Sequence, residues 1–384
     1  MLVAPVRVLV VDDSVVVRRL VSDALSSDPD IEVVGTASNG RLALTKLAQV
    51  APDLVTLDIE MPEMDGIAAL RQLRADGHRI PVIMFSTLTE RGASATLDAL
   101  EAGASDYVTK PSNSGSISDS LEQVRTSLVP KIKALVPPVA RSGGSPGSTL
   151  GSAQRRPLGA SAATRDPATT LLAPRQPRQA PYEVLAIGCS TGGPEALSTL
   201  LGLLPADLRV PVVVVQHMPP VFTRQFAARL DRNLPFTVVE AEGGERLRPG
   251  LVVLAPGDYH LRLRRLGDQM LTTIDQQVPE NFCRPAVDVL FRSAAQAYGA
   301  GVLATVLTGM GSDGRRGSLD VVGAGGSVLV QDEQSSVVWG MPGSVVEVGA
   351  AEEVLPLSEL AASLVRRVAV AAPGQSGMVV GSAR

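Results

Sequence analysis

Val184-Leu-Ala-Ile-Gly-Cys-Ser-Thr-Gly-Gly-Pro-Glu-Ala-Leu197 is the stretch that decides how this chain is read. An apolar run passes through Gly188, Cys189, Ser190, Thr191, Gly192 and Gly193 into a helical pattern that begins at Pro194. The order is strand, tight turn, helix: glycine admits backbone angles that other residues resist, and proline suits the first turn of a helix. A serine on such a turn stands exposed above a sheet edge, beside free helix N-terminal N–H groups. That is the arrangement of a G-x-S-x-G nucleophile elbow, although the bare motif also serves as a plain turn or an anion site. Two further stretches add to it, Gln216-His217-Met218-Pro219 and Thr308-Gly309-Met310-Gly311-Ser312-Asp313-Gly314.

Each of these stretches follows an apolar run, Val210–Val215 and Gly301–Leu307. Helical patterns alternate with the strands, so the expected fold is α/β with a doubly wound parallel sheet, whose strand ends gather at one edge. Leu261–Arg264 and Met270–Ile274 alternate like an inserted hairpin pair. Taken singly, Ser190 is a turn serine, His217 a loop histidine and Asp313 a helix cap. Together at three strand ends they make a hydrolytic triad: the imidazole takes the serine proton and the carboxylate orients the imidazole. N–H groups after the elbow and in the Gly309–Gly311 turn can hold an oxyanion, each worth ~10²–10³ in rate. The order Ser…His…Asp differs from the Ser…Asp…His of α/β-hydrolases. His260 is the rival base and reads as substrate-lining or structural. Cys189 reads as a small buried residue, since nothing near it argues a lowered thiol pKa. P-loop and HExxH patterns are absent and the three histidines are scattered, so no cofactor is expected in this part.

Upstream, apolar runs at Arg7–Val11, Ile31–Val34, Leu54–Leu57 and Val82–Phe85 alternate with helical patterns, a second doubly wound sheet. Its strand ends carry Asp12, Asp13, Asp58, Ser86 and Lys110. Strand-end aspartates commonly cap helices. Three carboxylates at one edge do not all ionise without a cation, and Mg²⁺ with oxygen ligands satisfies them.

Composition bounds the rest. A chain of 384 residues with 45% hydrophobic content holds two domains. Two cysteines, Cys189 and Cys283, indicate no disulfide framework and fit a cytoplasmic setting. No apolar run reaches the ~18 residues of a membrane span. Residues 1–111 carry 10 Lys+Arg against 16 Asp+Glu, residues 112–180 carry 9 against 3, and residues 181–384 carry 16 against 20. No folded part is basic, which disfavours nucleic acid as a partner. The basic middle is rich in proline and serine, a linker with one short helix over 119–128 that packs on the first domain or starts the linker. The expected organisation is a first domain at 1–111, a linker at 112–180, a second domain at 181–370 and a flexible tail at 371–384.

Val-Asp12-Asp13-Ser, Leu-Asp58-Ile-Glu-Met-Pro-Glu-Met-Asp-Gly66 and Tyr107-Val-Thr-Lys110-Pro111 resemble a response-regulator receiver domain of the flavodoxin-like kind. The resemblance implies that Asp58 accepts a phosphoryl group from a histidine kinase. It implies further that Asp12, Asp13, Asp58 and the Glu60 carbonyl hold Mg²⁺, that Ser86 and Lys110 meet the phosphoryl oxygens, and that Tyr107 is an aromatic switch.

Gly188-Cys-Ser-Thr-Gly-Gly-Pro194, Gln216-His-Met-Pro219, Ala255-Pro-Gly-Asp-Tyr-His260, Arg284-Pro-Ala-Val-Asp-Val-Leu-Phe291 and Leu307–Gly314 resemble the CheB chemotaxis methylesterases. This resemblance implies a cytoplasmic protein-glutamate methylesterase and glutamine deamidase, with methyl-accepting chemotaxis receptors as substrate. It implies Ser190 as nucleophile, His217 as base and Asp313 as its partner. Thr191 and the Met310 N–H lie beside the reacting carbonyl in that reading, and Arg284 is a candidate substrate contact in an open groove. The unphosphorylated receiver is expected to block that groove. The competing expectations are the same hydrolase on another protein substrate, or a phosphorylation-controlled scaffold with a degenerate effector.

Overall fold

The computed structural model describes residues 4–111, 116–137 and 181–369. Of the linker expected over 112–180, all but 116–137 and the first boundary of the second domain lies outside these residues, as does the tail expected over 371–384.

The first domain alternates β1 (Val6–Val11), α1 (Val15–Ser26), β2 (Ile31–Ala37), α2 (Gly40–Val50), β3 (Leu54–Asp58), α3 (Gly66–Ala75), β4 (Val82–Ser86), α4 (Glu90–Glu101), β5 (Asp106–Thr109) and α5 (Ile117–Leu135). Its five strands pair in the order β2-β1-β3-β4-β5, all parallel. β3 and β4 are buried along their whole length, so Val, Leu, Ile and Phe fill them without polar alternation. Each helix starts at an oxygen-bearing side chain that accepts from a first-turn N–H: Ser14, Asn39, Asp65, Thr89 and Ser116.

One boundary differs from the expectation. The short helix read over 119–128 runs from Ile117 to Leu135, opened by a capping box between Ser116 and Asp119. Val124, Leu128 and Ile132 recur on one face and join Val6, Val8 and Val10 in a single core cluster. The helix packs on α1 and belongs to the first domain. Packing on the first domain is one of the two expectations for it; Pro130, where the proline-rich composition begins, removes one N–H donor from the helix. Burial of Val129 and Ile132 on either side carries the helix through.

The second domain contains β6 (Val184–Cys189), α6 (Gly193–Leu203), β7 (Val212–Gln216), α7 (Pro220–Asn233), β8 (Thr237–Glu240), β9 (Leu251–Leu254), β10 (His260–Leu266) and β11 (Gln269–Asp275). It continues with α8 (Val287–Tyr298), β12 (Val302–Val306), α9 (Arg315–Gly323), β13 (Ser327–Gln331), α10 (Gly340–Glu347), β14 (Glu353–Leu355) and α11 (Leu357–Ala369). Seven parallel strands take the order β14-β13-β12-β6-β7-β9-β8, and β10 and β11 form the separate antiparallel hairpin. β6 lies between β7 and β12, the strands that follow and close the two halves of the sheet. That is the switch point of strand order, where a crevice opens beyond the carboxyl ends.

The two domains touch. α4 packs on α7 and α6, and one hydrophobic cluster contains Leu97 and Tyr107 of the first domain with Phe222 and Phe226 of the second. The Tyr107 and Phe222 rings stack with centroids 4.7 Å apart. Arg229 on α7 holds Asp98 at 2.7 Å and pairs with Glu101, both on α4. No helix among the described residues is long and apolar enough to cross a membrane.

Candidate active site

Ser190 follows β6 directly. Cys189 pairs in register with Gln216, so the next residues, Ser190 and His217, leave neighbouring strands side by side. The elbow is held from three directions: Ser190 N donates to Thr308 O at 3.0 Å, Gly193 N to Ser190 O at 2.7 Å, and Gln216 Nε2 to Ser190 O at 3.0 Å. Gln216 Nε2 also reaches His217 O at 3.2 Å, tying the two residues' backbones together. Gly192 sits at φ 74°, the left-handed region that lets the chain enter α6 at once. A Cβ at Gly309 would lie 2.9 Å from Ser190 Cβ, so only glycine allows that loop to close over the elbow.

His217 Nε2 meets Asp313 Oδ2 at 2.8 Å. Asp313 is buried and accepts four further bonds, from Val287 N at 2.6 Å, Asp288 N at 3.0 Å, Gly314 N at 3.0 Å and Asn281 Nδ2 at 2.9 Å. The first two are the opening N–H groups of α8, whose own N-cap residue, Ala286, provides no side-chain cap. Asp313 therefore caps α8 from another element, and the positive end of that helix favours its charge. Burial alone would raise the Asp313 pKa, but His217 and the N–H groups of Val287 and Asp288 bring it below the usual carboxylate value. Burial works against charged His217, yet the hydrogen bonds to Asp313 and Cys283 together outweigh it and raise the imidazole pKa.

Sequence reasoning missed three neighbours of this pair. Asn281 donates to both Asp288 Oδ2, at 2.8 Å, and Asp313 Oδ1. Asp288 in turn caps α9 by accepting from Gly317 N at 2.6 Å. Cys283 Sγ lies 3.6 Å from His217 Nδ1. That nitrogen is the one left for Ser190, and no hydrogen bond joins it to Ser190 Oγ among the described residues. The only sequence signal was proximity to the Arg284-Pro-Ala-Val-Asp288 stretch.

Other expected site residues have definite surroundings. Arg284 is not a free hand for substrate: its guanidinium binds Asp258 Oδ1 at 2.6 and 3.0 Å and the carbonyls of Gln276 and Gln277 at 3.0 Å. Met310 is half-buried in the turn beside the elbow. Thr191 is buried, and its Oγ1 donates to Asp106 Oδ2 of the first domain at 2.6 Å. Lys131 on α5 grips the same oxygen at 2.6 Å. The expected open groove is thus partly covered: a cavity of about 590 Å³ is lined by Tyr107 and Lys131 from one side and His217, Cys283 and Arg284 from the other. His260 is buried, with Nδ1 accepting from Ala286 N at 3.3 Å and Nε2 near Val278 O at 3.1 Å, a structural role. Cys189 is buried, and burial pushes its thiol pKa far up.

In the first domain, one oxygen each of Asp12, Asp13 and Asp58 lie within 4.8 Å of one another. Lys110 Nζ is 2.8 Å from both Asp12 Oδ2 and Asp58 Oδ2, yet neither buried oxygen has a well-directed hydrogen bond. Burial, opposed by Lys110 and reinforced by Asp12, raises the Asp58 pKa to about 6. A carboxylate cluster short of donors fits a hard divalent cation. Glu60 and Ser86 line the cavity at this cluster; the Ser86 hydroxyl donates to Gly92 O at 3.1 Å.

Residues 185–364 match the CheB methylesterase model and residues 8–122 the response regulator receiver domain model. A protein-glutamate methylesterase/protein-glutamine glutaminase of Nocardioides sp. is 62% identical over 366 residues, covering 95% of this chain and 96% of that protein. One from Trichodesmium erythraeum is 48% identical over 363 residues, covering 94% and 99%. The crystal structure of the Thermotoga maritima CheB methylesterase catalytic domain is 43% identical, covering 49% of this chain and 99% of that one, with a TM-score of 0.48. The chain belongs to the CheB family of protein-glutamate methylesterases/protein-glutamine glutaminases, with a receiver domain ahead of the methylesterase domain.

Proposed function

We propose that the chain hydrolyses glutamyl methyl esters, and deamidates glutamines, on methyl-accepting chemotaxis receptors in the cytoplasm, with the receiver controlling access. The observation that supports this most is the buried, five-fold bonded Asp313 on His217 beside the Ser190 elbow. His217 is the base, Asp313 orients it and stabilises its charged form, and Ser190 attacks the γ-carbonyl. The proton taken from Ser190 leaves with methanol, or with ammonia from glutamine, and water then releases the acyl group. The N–H groups of Thr191 and Met310 receive the oxyanion.

Asp58 accepts the phosphoryl group from a histidine kinase. Asp12, Asp13, Asp58 and the Glu60 carbonyl would hold Mg²⁺, which would offset phosphoryl charge; Lys110 and Ser86 bind the phosphoryl oxygens. Tyr107 and Asp106 carry the change to the second domain, because one residue stacks on Phe222 and the other holds Thr191. Moving such a two-state contact from 1:99 to 99:1 takes ~5.5 kcal/mol, and partial release takes less. The test is methanol release from methylated receptor with and without a small phosphodonor and Mg²⁺. Release is expected to vanish in Ser190→Ala and to lose its stimulation in Asp58→Ala. Release that survives Ser190→Ala would overturn the reading.

A further inference from the structure

We propose that His217 and Cys283 together bind a borderline-soft divalent cation, Zn²⁺ foremost, and that its binding reversibly silences the esterase. The separation of the two donor atoms is the starting point. A tetrahedral zinc with bonds of ~2.0–2.1 Å to nitrogen and ~2.3 Å to sulfur holds those atoms ~3.6 Å apart. His217 Nδ1 and Cys283 Sγ already stand 3.6 Å apart.

The imidazole is also oriented as a zinc ligand would be. Its other nitrogen is committed to Asp313 at 2.8 Å, and a carboxylate behind a ligating histidine fixes the ring and raises its basicity. Asp313 groups with the pair. With its four other donors it serves as the orienting carboxylate rather than as a ligand.

The thiol is held in place as well. Glu280 and Cys283 exchange N–H···O bonds of 3.1 and 2.9 Å, and Arg292 pins Glu280 at 2.7 Å. Cys283 is half-buried and shares the wall of the 590 Å³ cavity with His217, which leaves room for two water ligands. The cations beside that cavity are already paired, Lys131 with Asp106 and Arg284 with Asp258. Cys189 is fully buried, with its Sγ turned to Val215 O at 3.7 Å.

On binding, the thiol, and the imidazole where it is charged, give their protons to solvent, Zn–S and Zn–N bonds replace two Zn–water bonds, and no electron is transferred. The ion then occupies the nitrogen lone pair on which Ser190 depends. This silencing rests on His217 being the base; the binding itself does not. Mg²⁺ needs oxygen ligands and does not compete.

The test is a Co²⁺ titration of the full chain. We expect a near-ultraviolet thiolate-to-cobalt band that Zn²⁺ displaces and that Cys283→Ala lacks. Cobalt on the acidic cluster of the receiver has oxygen ligands only and gives no such band. In methanol release, Zn²⁺ is expected to inhibit and a chelator to restore the rate. Cys283→Ala, measured against its own zinc-free rate, should need at least about tenfold more Zn²⁺ for the same inhibition. No band in the native chain, a band that persists in Cys283→Ala, or equal inhibition of both proteins would overturn the proposal. A band without inhibition would show the ion held by Cys283 without His217 and would overturn the shared site and the silencing. A chain that releases no methanol under any condition still reports zinc binding through the band.

Discussion

Replacing Arg229 by alanine should release the methylesterase domain from its receiver without touching either reaction centre. The Arg229 side chain is 16% exposed, while its partners on α4 are wetter, Asp98 at 47% and Glu101 at 59%. Exposed ion pairs contribute about 0.2–1 kcal/mol each, so two such pairs discounted for solvent and salt contribute about 1 kcal/mol together. Lost from the closed arrangement alone, that shifts the closed-to-open ratio about fivefold. Methanol release from methylated receptor should therefore rise about fivefold in the unphosphorylated Arg229→Ala protein while closed molecules dominate. The phosphodonor-stimulated rate should stay near that of the native chain, so the stimulation ratio falls. Raising the salt concentration should raise the basal rate of the native protein and leave the variant less affected, because screening weakens the same pairs. An unchanged basal rate would show that these contacts do not hold the domains closed. Equal increases in basal and stimulated rates would show that Arg229 acts on catalysis rather than on access.

Three further outcomes follow from the two sites. The Asp58 carboxyl binds its proton more tightly in the fold than the ordinary value of 3.8, titrating at about 6. Its stabilising effect is therefore complete below about pH 3.8 and is lost as pH rises through about 6, when the ionised cluster repels itself. The rise in Tm on adding Mg²⁺ should be largest above that pH and shrink below it, and a pH-independent rise in calorimetry would contradict the assignment. The raised His217 pKa should place the rising limb of the pH–rate profile above the ordinary imidazole value of 6.5, and Asp313→Asn should move it down while lowering kcat. Asn281→Ala removes one of five donors to Asp313 and leaves Asp288 short of a partner. It should destabilise the domain by about 1–3 kcal/mol in denaturant unfolding, and kcat should fall with KM little changed.

Much of this molecule is legible from local signals. Both sheets announce themselves through short apolar runs that end in chemistry-bearing residues: Val184–Ile187 before Ser190, Val210–Val215 before His217, Leu54–Leu57 before Asp58. A buried parallel strand needs no polar alternation, and a ligand site at its carboxyl end needs the polar residue there, so one pattern shows both. The elements that were not read fail for stated reasons. α10 is Gly340-Met-Pro-Gly-Ser-Val-Val-Glu347, buried at Met341, Pro342, Gly343, Ser344 and Val345, so no solvent-facing stripe gives it a helical period. α11 does carry that period in Leu360, Leu364 and Val368, and was readable. The expected end of α5 at 128 fell where the proline-rich composition begins, whereas its apolar face continues to Ile132 and packs into the core that contains β1.

The sequence by itself determined which groups could do the chemistry: three residues at three strand ends, three carboxylates and a lysine at another edge. Residue type and distance from a strand end are local properties, and the chain carries them openly. What only the tertiary structure decided is which of those groups meet. Asp313 finds α8, Asn281 and His217; Thr191 meets Asp106; Tyr107 stacks on Phe222; Cys283 faces the imidazole. These contacts join residues tens of positions apart or more, and no periodicity records them. They follow from how two sheets, packed through α4, α6 and α7, bring distant loops within hydrogen-bonding distance, and that distance sets the pKa values, the access to Ser190 and the metal-binding chemistry of its base.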